Sequence, residues 1–409
     1  MLTTSIAAVL TLTGLAAMGP GQQIDPQPKP DTDTASSFVV ISDTEIIADG
    51  VTYHSWQELA ESGYHHNDET RCATDSFVGA DHAWVARGGA DCSSSRTTIR
   101  PEYDPSVEKY RIPVVVHIIE SNSGTGSVPD SRVYSQIEIL NEDFQAIAGS
   151  NGAPGTDAQI EFYLATEDPN GNPTTGITRS TNTTWFNDGG AYYNTLAWDT
   201  DRYLNIYTNS GGGALGYVPA LPQSGIAGSN SDRVVILYST FGRNAPYSPF
   251  NLGRTVTHEV GHYLGLEHTF SGGCSNGYTS GDLIADTNPE SSPTFGCPGS
   301  RTSCGSQAPI HNYMDYSDDI CMNQFTPEQS NRMRCSLLSY RPDLFEIAGP
   351  SGCSDADLVE PFGQLDFFDV SAFLTAFNNG DSSADFDGNG SFDFFDISLF
   401  LGTYNVGCP

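Results

Sequence analysis

The chain has 409 residues and a formal net charge of −33, with 50 acidic residues against 17 lysines and arginines. This length suits one main domain with one or two smaller modules. So large a negative charge argues against binding to nucleic acid or to anionic membranes. No segment beyond the N-terminus is long and apolar enough to cross a bilayer, so we expect no membrane span.

Residues 1–23 contain an apolar run followed by small residues, a pattern typical of a signal peptide. No Lys or Arg precedes the run, which leaves a misplaced start codon open as an alternative. The nine cysteines favour an oxidising compartment, where most of them would pair, and their odd number leaves at least one thiol to explain. We therefore expect a secreted, extracellular protein.

Residues 24–105 are rich in Asp, Ser, Gly and Pro, and their short apolar islands lack strong periodicity. This texture favours a pro-segment ahead of the main domain, residues 106–346. Within that domain the apolar patterns predict four strands and a helix: strands at Ile112–Ile119, Gln159–Ala165, Tyr203–Thr208 and Arg233–Tyr238, and a helix at Ser131–Ile147. The expected fold class is α+β, with a mixed sheet and helices.

The segment Asn251–Leu266 reads as a second helix, capped by its first residue and suited to end at Gly265. On this helix His258 and His262 stand four residues apart, so they project from one face and can bind the same ion. His268 follows at a distance that allows a third imidazole to reach that ion after the turn.

Three neutral nitrogen ligands leave a fourth position on a zinc ion for water, whose pKa falls from about 16 to about 7. Glu259, next to the first histidine, can take the proton of that water as it attacks a carbonyl. The pattern therefore predicts hydrolysis of peptide bonds. The alternatives are a buried helix whose histidines make core hydrogen bonds, and a structural metal site.

The run from His258 to His268, HEVGHYLGLEH, resembles the extended zinc motif of metzincin proteases. Its surroundings, NLGRT before the motif, HTF and GGC after it, and NYMDY at 312–316, resemble the pappalysin family of metzincins. The likeness spans roughly residues 110–345. It implies a metzincin catalytic domain with a twisted mixed sheet and helices above, an irregular lower subdomain below, and a substrate cleft between them.

The resemblance also implies roles for residues outside the zinc motif. Met314 would form an apolar floor beneath the histidines without binding the metal, and Tyr316 would donate a hydrogen bond to the tetrahedral intermediate. Asp282, Asp286 and Thr287 resemble the ligands of a structural calcium ion, and solvated surface acids are the equal alternative.

Cysteine pairs are implied by the same resemblance. It joins Cys274 to Cys304 and Cys297 to Cys321, although the sequence alone allows three pairings of these four. Cys353 and Cys408 bracket the C-terminal module and are expected to close it.

Cys72 lies in the expected pro-segment, where a thiolate can occupy the fourth zinc position and keep an enzyme latent. Cysteine switches of the family usually have Gly after the Cys, whereas this chain has Ala73. A plain disulfide between Cys72 and Cys92 is therefore the alternative. If Cys72 is the switch, Cys92 can instead pair with Cys335.

Residues 352–409 contain an internal duplication, LDFFDVSAFLTAF at 365–377 against FDFFDISLFLGTY at 392–404. The second repeat has oxygen-bearing side chains at the spacing of a calcium loop: Asp385, Asp387, Asn389, Ser391, Asp393 and Asp396. It resembles a type I dockerin, which implies a small α-helical calcium-loop module and a cohesin-like or cell-surface scaffold as its partner. The first repeat departs from the pattern over residues 358–363, so it is expected to bind calcium weakly or not at all.

The patterns jointly predict a secreted zinc endopeptidase that acts on proteins or peptides, is made as a latent precursor and carries a calcium-dependent anchoring module. The competing interpretation is a non-catalytic, calcium-binding adhesion or scaffold protein with a structural zinc site. An intact Glu259 argues against it, because a structural site has no use for a base beside an open coordination position.

Overall fold

The computed structural model describes residues 37–64, 66, 68–74, 92, 109–277, 280–348, 354–359, 364–380, 382–386 and 391–408. The expected signal peptide lies outside these residues. Within them, no helix combines the length and the apolar character that crossing a membrane requires.

Part of the expected pro-segment has regular structure. Three antiparallel strands, β1 (Phe38–Ser42), β2 (Glu45–Ala48) and β3 (Val51–Tyr53), precede two helices, α1 (Trp56–Glu61) and α2 (Asp68–Arg71). Alternate side chains of β1 and β2 are buried and join the same apolar core as the main domain. Strands of three to five residues are too short to show a period, which is why the sequence pattern did not predict them.

The main domain follows in chain order. Its elements are β4 (Lys109–Glu120), α3 (Asp130–Phe144), β5 (Ile160–Leu164), β6 (Ile177–Thr181), α4 (Thr183–Phe186), α5 (Tyr193–Leu196), β7 (Leu204–Asn209), β8 (Gly216–Tyr217), β9 (Val234–Leu237), α6 (Arg254–Tyr263), β10 (Thr302–Ser303), β11 (Ser306–Gln307), α7 (Pro327–Tyr340) and β12 (Glu346–Ala348).

Seven of these strands form one mixed sheet in which the long strand β4 pairs in parallel with β5, β6 and β7. β9 continues the sheet in parallel beside β7, and the short strand β8 runs antiparallel to β9 at the end of the strand order. Every residue of β7 and β9 is buried, as expected for strands covered on both faces. The fold is thus a mixed α+β arrangement, as the sequence predicted.

Four strands and the helix α3 lie within a few residues of their predicted positions, whereas the helix predicted at 251–266 is shorter. It begins at Arg254, after Gly253 in the left-handed conformation with φ of 80°. Asn251 does not cap it; that prediction was wrong. The Asp319 carboxylate instead accepts hydrogen bonds from the backbone N–H groups of Leu252 and Arg254. At the other end Gly265, with φ of 95°, turns the chain away as predicted.

Residues between α6 and α7 are mostly irregular, with β10 and β11 as a two-stranded hairpin. Disulfides join Cys274 to Cys304 and Cys297 to Cys321, the two pairs that the family resemblance implies. Since few regular hydrogen bonds are available in this region, the cross-links limit its conformational freedom.

The C-terminal module has two helices, α8 (Phe367–Asn379) and α9 (Phe394–Val406), one from each repeat. Each begins with an aspartate cap and a second aspartate three residues later that form a capping box. Phe373 and Phe400 stack at 4.0 Å between the helices and are both buried. In the expected calcium loop, Asp387 and Asn389 lie outside the described residues.

Candidate active site

The helix α6 brings two of the three expected zinc ligands to one buried place. Nε2 of His262 lies 3.1 Å from Nε2 of His258 and 3.0 Å from Nε2 of His268, which reaches the same point after the turn at Gly265. Three nitrogens bound tetrahedrally to one zinc ion at 2.0–2.1 Å stand roughly 3.3 Å apart. The spacing of the three imidazoles therefore fits a single zinc ion.

The opposite ring nitrogens determine which atoms are free to bind a metal. Nδ1 of His258 lies 2.6 Å from the carbonyl oxygen of Tyr313, and Nδ1 of His262 lies 2.8 Å from that of Leu266. A carbonyl only accepts, so each Nδ1 carries the proton and each Nε2 presents a lone pair. Burial also lowers the pKa of both histidines, to about 4 for His262, which keeps them neutral. Converging lone pairs repel one another unless a cation lies between them.

Cys72 completes this group of ligand atoms. Its sulfur and the three imidazole nitrogens lie within 4.8 Å of one another, and all four residues are buried. Cys72 carries a free thiol, because Cys92 pairs with Cys335. The alternative disulfide between Cys72 and Cys92 is thus absent, and the structure places the Cys72 sulfur beside the three imidazoles.

The chain around Cys72 is held against strand β8. Cys72 pairs with Gly216 in a parallel bridge, the N–H of Ala73 donates to the Gly216 carbonyl at 3.1 Å, and the N–H of Leu215 donates to the Thr70 carbonyl at 3.1 Å. Backbone pairing on both sides of the cysteine fixes its sulfur over the histidines. The segment therefore fills the space beside β8 that an extended peptide would need.

Glu259 lies next to the sulfur of Cys72. Its Oε2 accepts hydrogen bonds from the Cys72 thiol at 3.6 Å and from the Thr74 hydroxyl at 3.2 Å. Burial raises the pKa of Glu259 to about 8, and burial together with the charge of Glu259 raises the pKa of the Cys72 thiol. A divalent cation opposes the second effect, because a thiol that coordinates a metal is deprotonated.

Gly216 packs against the same carboxylate side chain. A Cβ at this position would lie 2.8 Å from Cγ of Glu259 and 3.0 Å from its Oε1. Only a residue without a side chain leaves Glu259 in its place, so β8 and the expected base are in direct contact here.

Met314 and Tyr316 lie around the histidines. A Cβ on Gly261 of α6 would meet the sulfur of Met314 at 2.5 Å, which places the buried methionine directly against the zinc helix. The Tyr316 hydroxyl lies 3.1 Å from Nε2 of His268.

A buried network of charged and polar side chains connects α6 to α3 and to Tyr313. Asp143 of α3 accepts hydrogen bonds from Arg254 at 3.1 Å, from the Thr257 hydroxyl at 2.7 Å and from the Tyr313 hydroxyl at 2.7 Å. Tyr313 is also the residue whose carbonyl orients His258. Asp143 thus connects α3 to two segments of the site.

Arg71, the residue before Cys72, is held by two contacts with the main domain. Its guanidinium lies 4.2 Å from the centre of the Phe250 ring and donates to the Ser317 carbonyl at 2.8 Å. Burial raises the pKa of Asp319, and the positive charge of Arg71 opposes that rise. The expected pro-segment is therefore held by charge as well as by backbone pairing.

The structure gives the expected calcium residues of the main domain other partners. Thr287 donates to Asp282 at 2.6 Å, Asp282 also accepts from the N–H of Ile284, and Asp286 accepts from the N–H of Glu328 at the start of α7. Among the residues that the structure describes, the convergent group of possible metal ligands is the one formed by Cys72 and the three histidines.

Four contributors to the site were not predicted from the sequence: Arg71, Thr74, Asp143 and Gly216. Arg71 and Thr74 flank Cys72, so a search around the candidate switch could have found them. Asp143 and Gly216 belong to no recognisable motif, and only the fold brings them to the zinc helix.

Residues 191–338 match the family model described as Pregnancy-associated plasma protein-A, Peptidase_M43. An extracellular metalloprotease of Colletotrichum graminicola is 40% identical over 240 residues, which cover 56% of this chain and 77% of the relative. Extracellular metalloprotease 1 of Coccidioides posadasii is 39% identical over 237 residues, covering 55% and 76%.

Two solved structures are similar as well. A promirolysin mutant of Tannerella forsythia has 36% sequence identity and a TM-score of 0.52, covering 62% of this chain and 86% of that chain. Mirolysin in complex with a compound has 38% identity and a TM-score of 0.51, covering 58% and 96%.

Proposed function

This chain belongs to the pappalysin family of metalloproteases, peptidase family M43, and from that premise we propose that it is a secreted zinc endopeptidase made as a latent precursor. The observation that carries the proposal is the convergence of three neutral imidazoles and one free thiol around a point beside Glu259. The extracellular location rests on the names of the relatives and on the expected signal peptide.

His258, His262 and His268 would hold the zinc ion, which when bound acts as a Lewis acid and lowers the pKa of coordinated water. Glu259 is the base: it accepts the proton of the attacking water at the oxygen that now accepts from Thr74 and Cys72. Tyr316 donates a hydrogen bond from its hydroxyl to the oxyanion that develops on the substrate carbonyl. β8 aligns the substrate backbone as it aligns residues 70–73 in the precursor.

Latency follows from the same contacts. Cys72 occupies the ligand position that the attacking water needs, and the Thr74 hydroxyl donates a hydrogen bond to the carboxylate of the proposed base, Glu259. Both residues lie on one short stretch that is held by β8 and by Arg71. When this stretch leaves the cleft, the metal position and the base therefore become free together.

A set of one cysteine and three histidines also suits a structural zinc site. Glu259 distinguishes the two interpretations, because a buried carboxylate beside the metal ligands is costly to fold and serves no purpose in a structural site. The proposal therefore favours a latent catalytic centre.

The proposal also includes the two expected calcium sites, one in the C-terminal module and one in the main domain. The loop with Asp385, Asp387, Asn389, Ser391, Asp393 and Asp396 would bind one calcium ion in a dockerin-like module that attaches the enzyme to a cohesin-like or cell-surface scaffold. Asp282, Asp286 and Thr287 would bind calcium only by exchanging hydrogen bonds that the structure already provides.

The test is to incubate the processed protein with a diverse peptide library and to sequence the products, with and without a chelator. The proposal expects internal cleavage of peptides that stops when zinc is removed and resumes when zinc is restored. A processed protein that contains zinc and leaves every peptide intact would contradict it.

A further inference from the structure

A disulfide ties the expected pro-segment to the main domain. Cys92 pairs with Cys335 of α7, across a sequence separation of 243 residues. Both cysteines are buried, with Ala227 and Tyr340 in the same apolar cluster. The bond is therefore shielded from solvent and is a structural cross-link.

The inhibitory residues all precede this cross-link. Cys72 and Thr74, which contact the zinc ligands and Glu259, are separated from Cys92 by residues 75–91. A cut on the C-terminal side of Cys92, including one near residue 105, leaves residues 37–74 covalently attached to α7 through the disulfide.

Resting on the latency proposed above, we propose that the activating cut falls between Thr74 and Cys92, so that Cys92 stays with the mature enzyme. One peptide bond in residues 75–91 is hydrolysed and the disulfide remains oxidised. The mature chain then begins before Cys92 rather than near residue 105, and residues 92–105 are part of the enzyme.

The physical reason is effective concentration. A segment tethered by about 20 residues is presented to its binding site at roughly millimolar concentration, so it rebinds far faster than it is lost. Its contacts are extensive: Phe38, Trp56 and Leu59 are buried in the common core. In addition, Nε2 of His66 lies 2.8 Å from the Tyr247 hydroxyl, and Arg71 donates a hydrogen bond to the Ser317 carbonyl. Only a cut that separates these residues from Cys92 allows dilution to remove them.

The experiment uses three full-length precursors that carry one recognition sequence for a site-specific protease. In the first it lies between Thr74 and Cys92, and in the second it lies between Cys92 and Lys109. The third repeats the second in a Cys92→Ser, Cys335→Ser background. Each is cut to completion, diluted, assayed with a fluorogenic casein substrate and run on denaturing gels with and without reductant.

We expect the first precursor to gain activity by about 100-fold or more on dilution, and the second to stay within about tenfold of the uncut protein, since tethering commonly changes apparent affinity by 10²–10⁴. The third should gain activity like the first. Without reductant, the N-terminal fragment of the second should remain attached to the enzyme, and that of the first should separate.

A second precursor that becomes as active as the first, or whose fragment separates without reductant, contradicts the tether. If no precursor gains activity while the fragments behave as expected on the gels, the tether stands and the proposed protease function fails. Should the third precursor not fold, the first two decide the question.

Discussion

Two of the three proposed zinc ligands, His258 and His262, are each oriented by a backbone carbonyl from a different part of the chain. His258 uses Tyr313, which belongs to the turn that also holds Met314, and His262 uses Leu266 just beyond its own helix. These bonds fix the tautomer that leaves Nε2 free. The turn at 313–316 therefore matters to the metal site through its backbone as well as through its side chains.

The first prediction concerns the proposed thiol ligand. Cys72→Ser should make the uncut precursor active, because a hydroxyl is a far weaker zinc ligand than a thiolate. We expect a rise of about tenfold over the wild-type precursor, below the activity of the processed enzyme, since Thr74 and the pairing with β8 remain. Casein hydrolysis by intact protein measures this. A variant precursor as inactive as wild type would show that Cys72 does not maintain latency.

The second prediction concerns Gly216. Gly216→Ala should lower kcat on the order of 100-fold with little loss of zinc, because the new Cβ displaces Glu259 and misplacing a catalytic group by about 1 Å has that effect. Gly299→Ala is the matched control, because no heavy atom lies within 4 Å of the Cβ it would add. Steady-state kinetics and metal analysis of both variants decide this. If Gly216→Ala keeps the wild-type kcat, the contact has no catalytic consequence.

Among the secondary-structure elements, the sequence predicted those whose formation depends on a local pattern of apolar and polar residues. The apolar strands, α3 and the histidine spacing on α6 were all readable from the sequence. The start of α6 was not, because Asp319 accepts from the backbone of Leu252 and Arg254 across 65 residues or more. β8 has two residues and no pattern at all, although it pairs with the segment that carries Cys72.

The third prediction concerns the pairing of α3 with α6. Asp143→Asn should lower the free energy of unfolding by about 3–5 kcal/mol, because Arg254 would be left as a buried charge without its partner. Asp130→Asn on the same helix is the control: its side chain is 54% exposed beside Arg179, and a surface ion pair contributes only about 0–1 kcal/mol. Urea unfolding monitored by circular dichroism compares them. If Asp143→Asn and Asp130→Asn unfold at the same urea concentration, the buried network around Asp143 does not contribute to stability as predicted.

At the scale of the whole molecule, the N-terminal region could not be understood from its own sequence. Residues 37–74 are stabilised by contacts with residues of the main domain more than 140 positions away, such as Val218 and Tyr247. The pairing of Cys92 with Cys335 likewise depends on the folded chain, since spacing alone leaves the partner open.

The second aspartate of the first C-terminal repeat, Asp369, is satisfied by backbone N–H groups. In the first repeat the Asp369 carboxylate accepts from the N–H groups of Leu358, Val359 and Asp366. Backbone N–H groups therefore hold this carboxylate in place, and the weak or absent calcium binding of the first repeat stays a prediction. On the helices of this module, Phe377 is partly buried and Leu399 is exposed.

The fourth prediction is that calcium raises the melting temperature of residues 352–409 studied as an isolated segment, through the second repeat. Asp385→Ala and Asp396→Ala should abolish the shift, because ligand oxygens converge only when an ion offsets their repulsion. Asp369→Ala is the control, and should lower the melting temperature equally with calcium and with chelator. Phe392 packs near Phe377, so it should loosen without calcium, whereas Phe395 is already 64% exposed. A melt that calcium does not move would contradict the calcium-loop assignment.

The central claim is that His262 binds zinc while Glu259 acts only as the base, and one comparison tests it most directly. Zinc content and casein hydrolysis are measured together on processed wild type, Glu259→Ala and His262→Ala. We expect Glu259→Ala to keep its zinc and to lose activity by about 10²–10⁴-fold, because removing a general base has that effect. His262→Ala should lose both zinc and activity, because only the histidines are ligands. A Glu259→Ala enzyme that still hydrolyses casein at the wild-type rate would contradict the account.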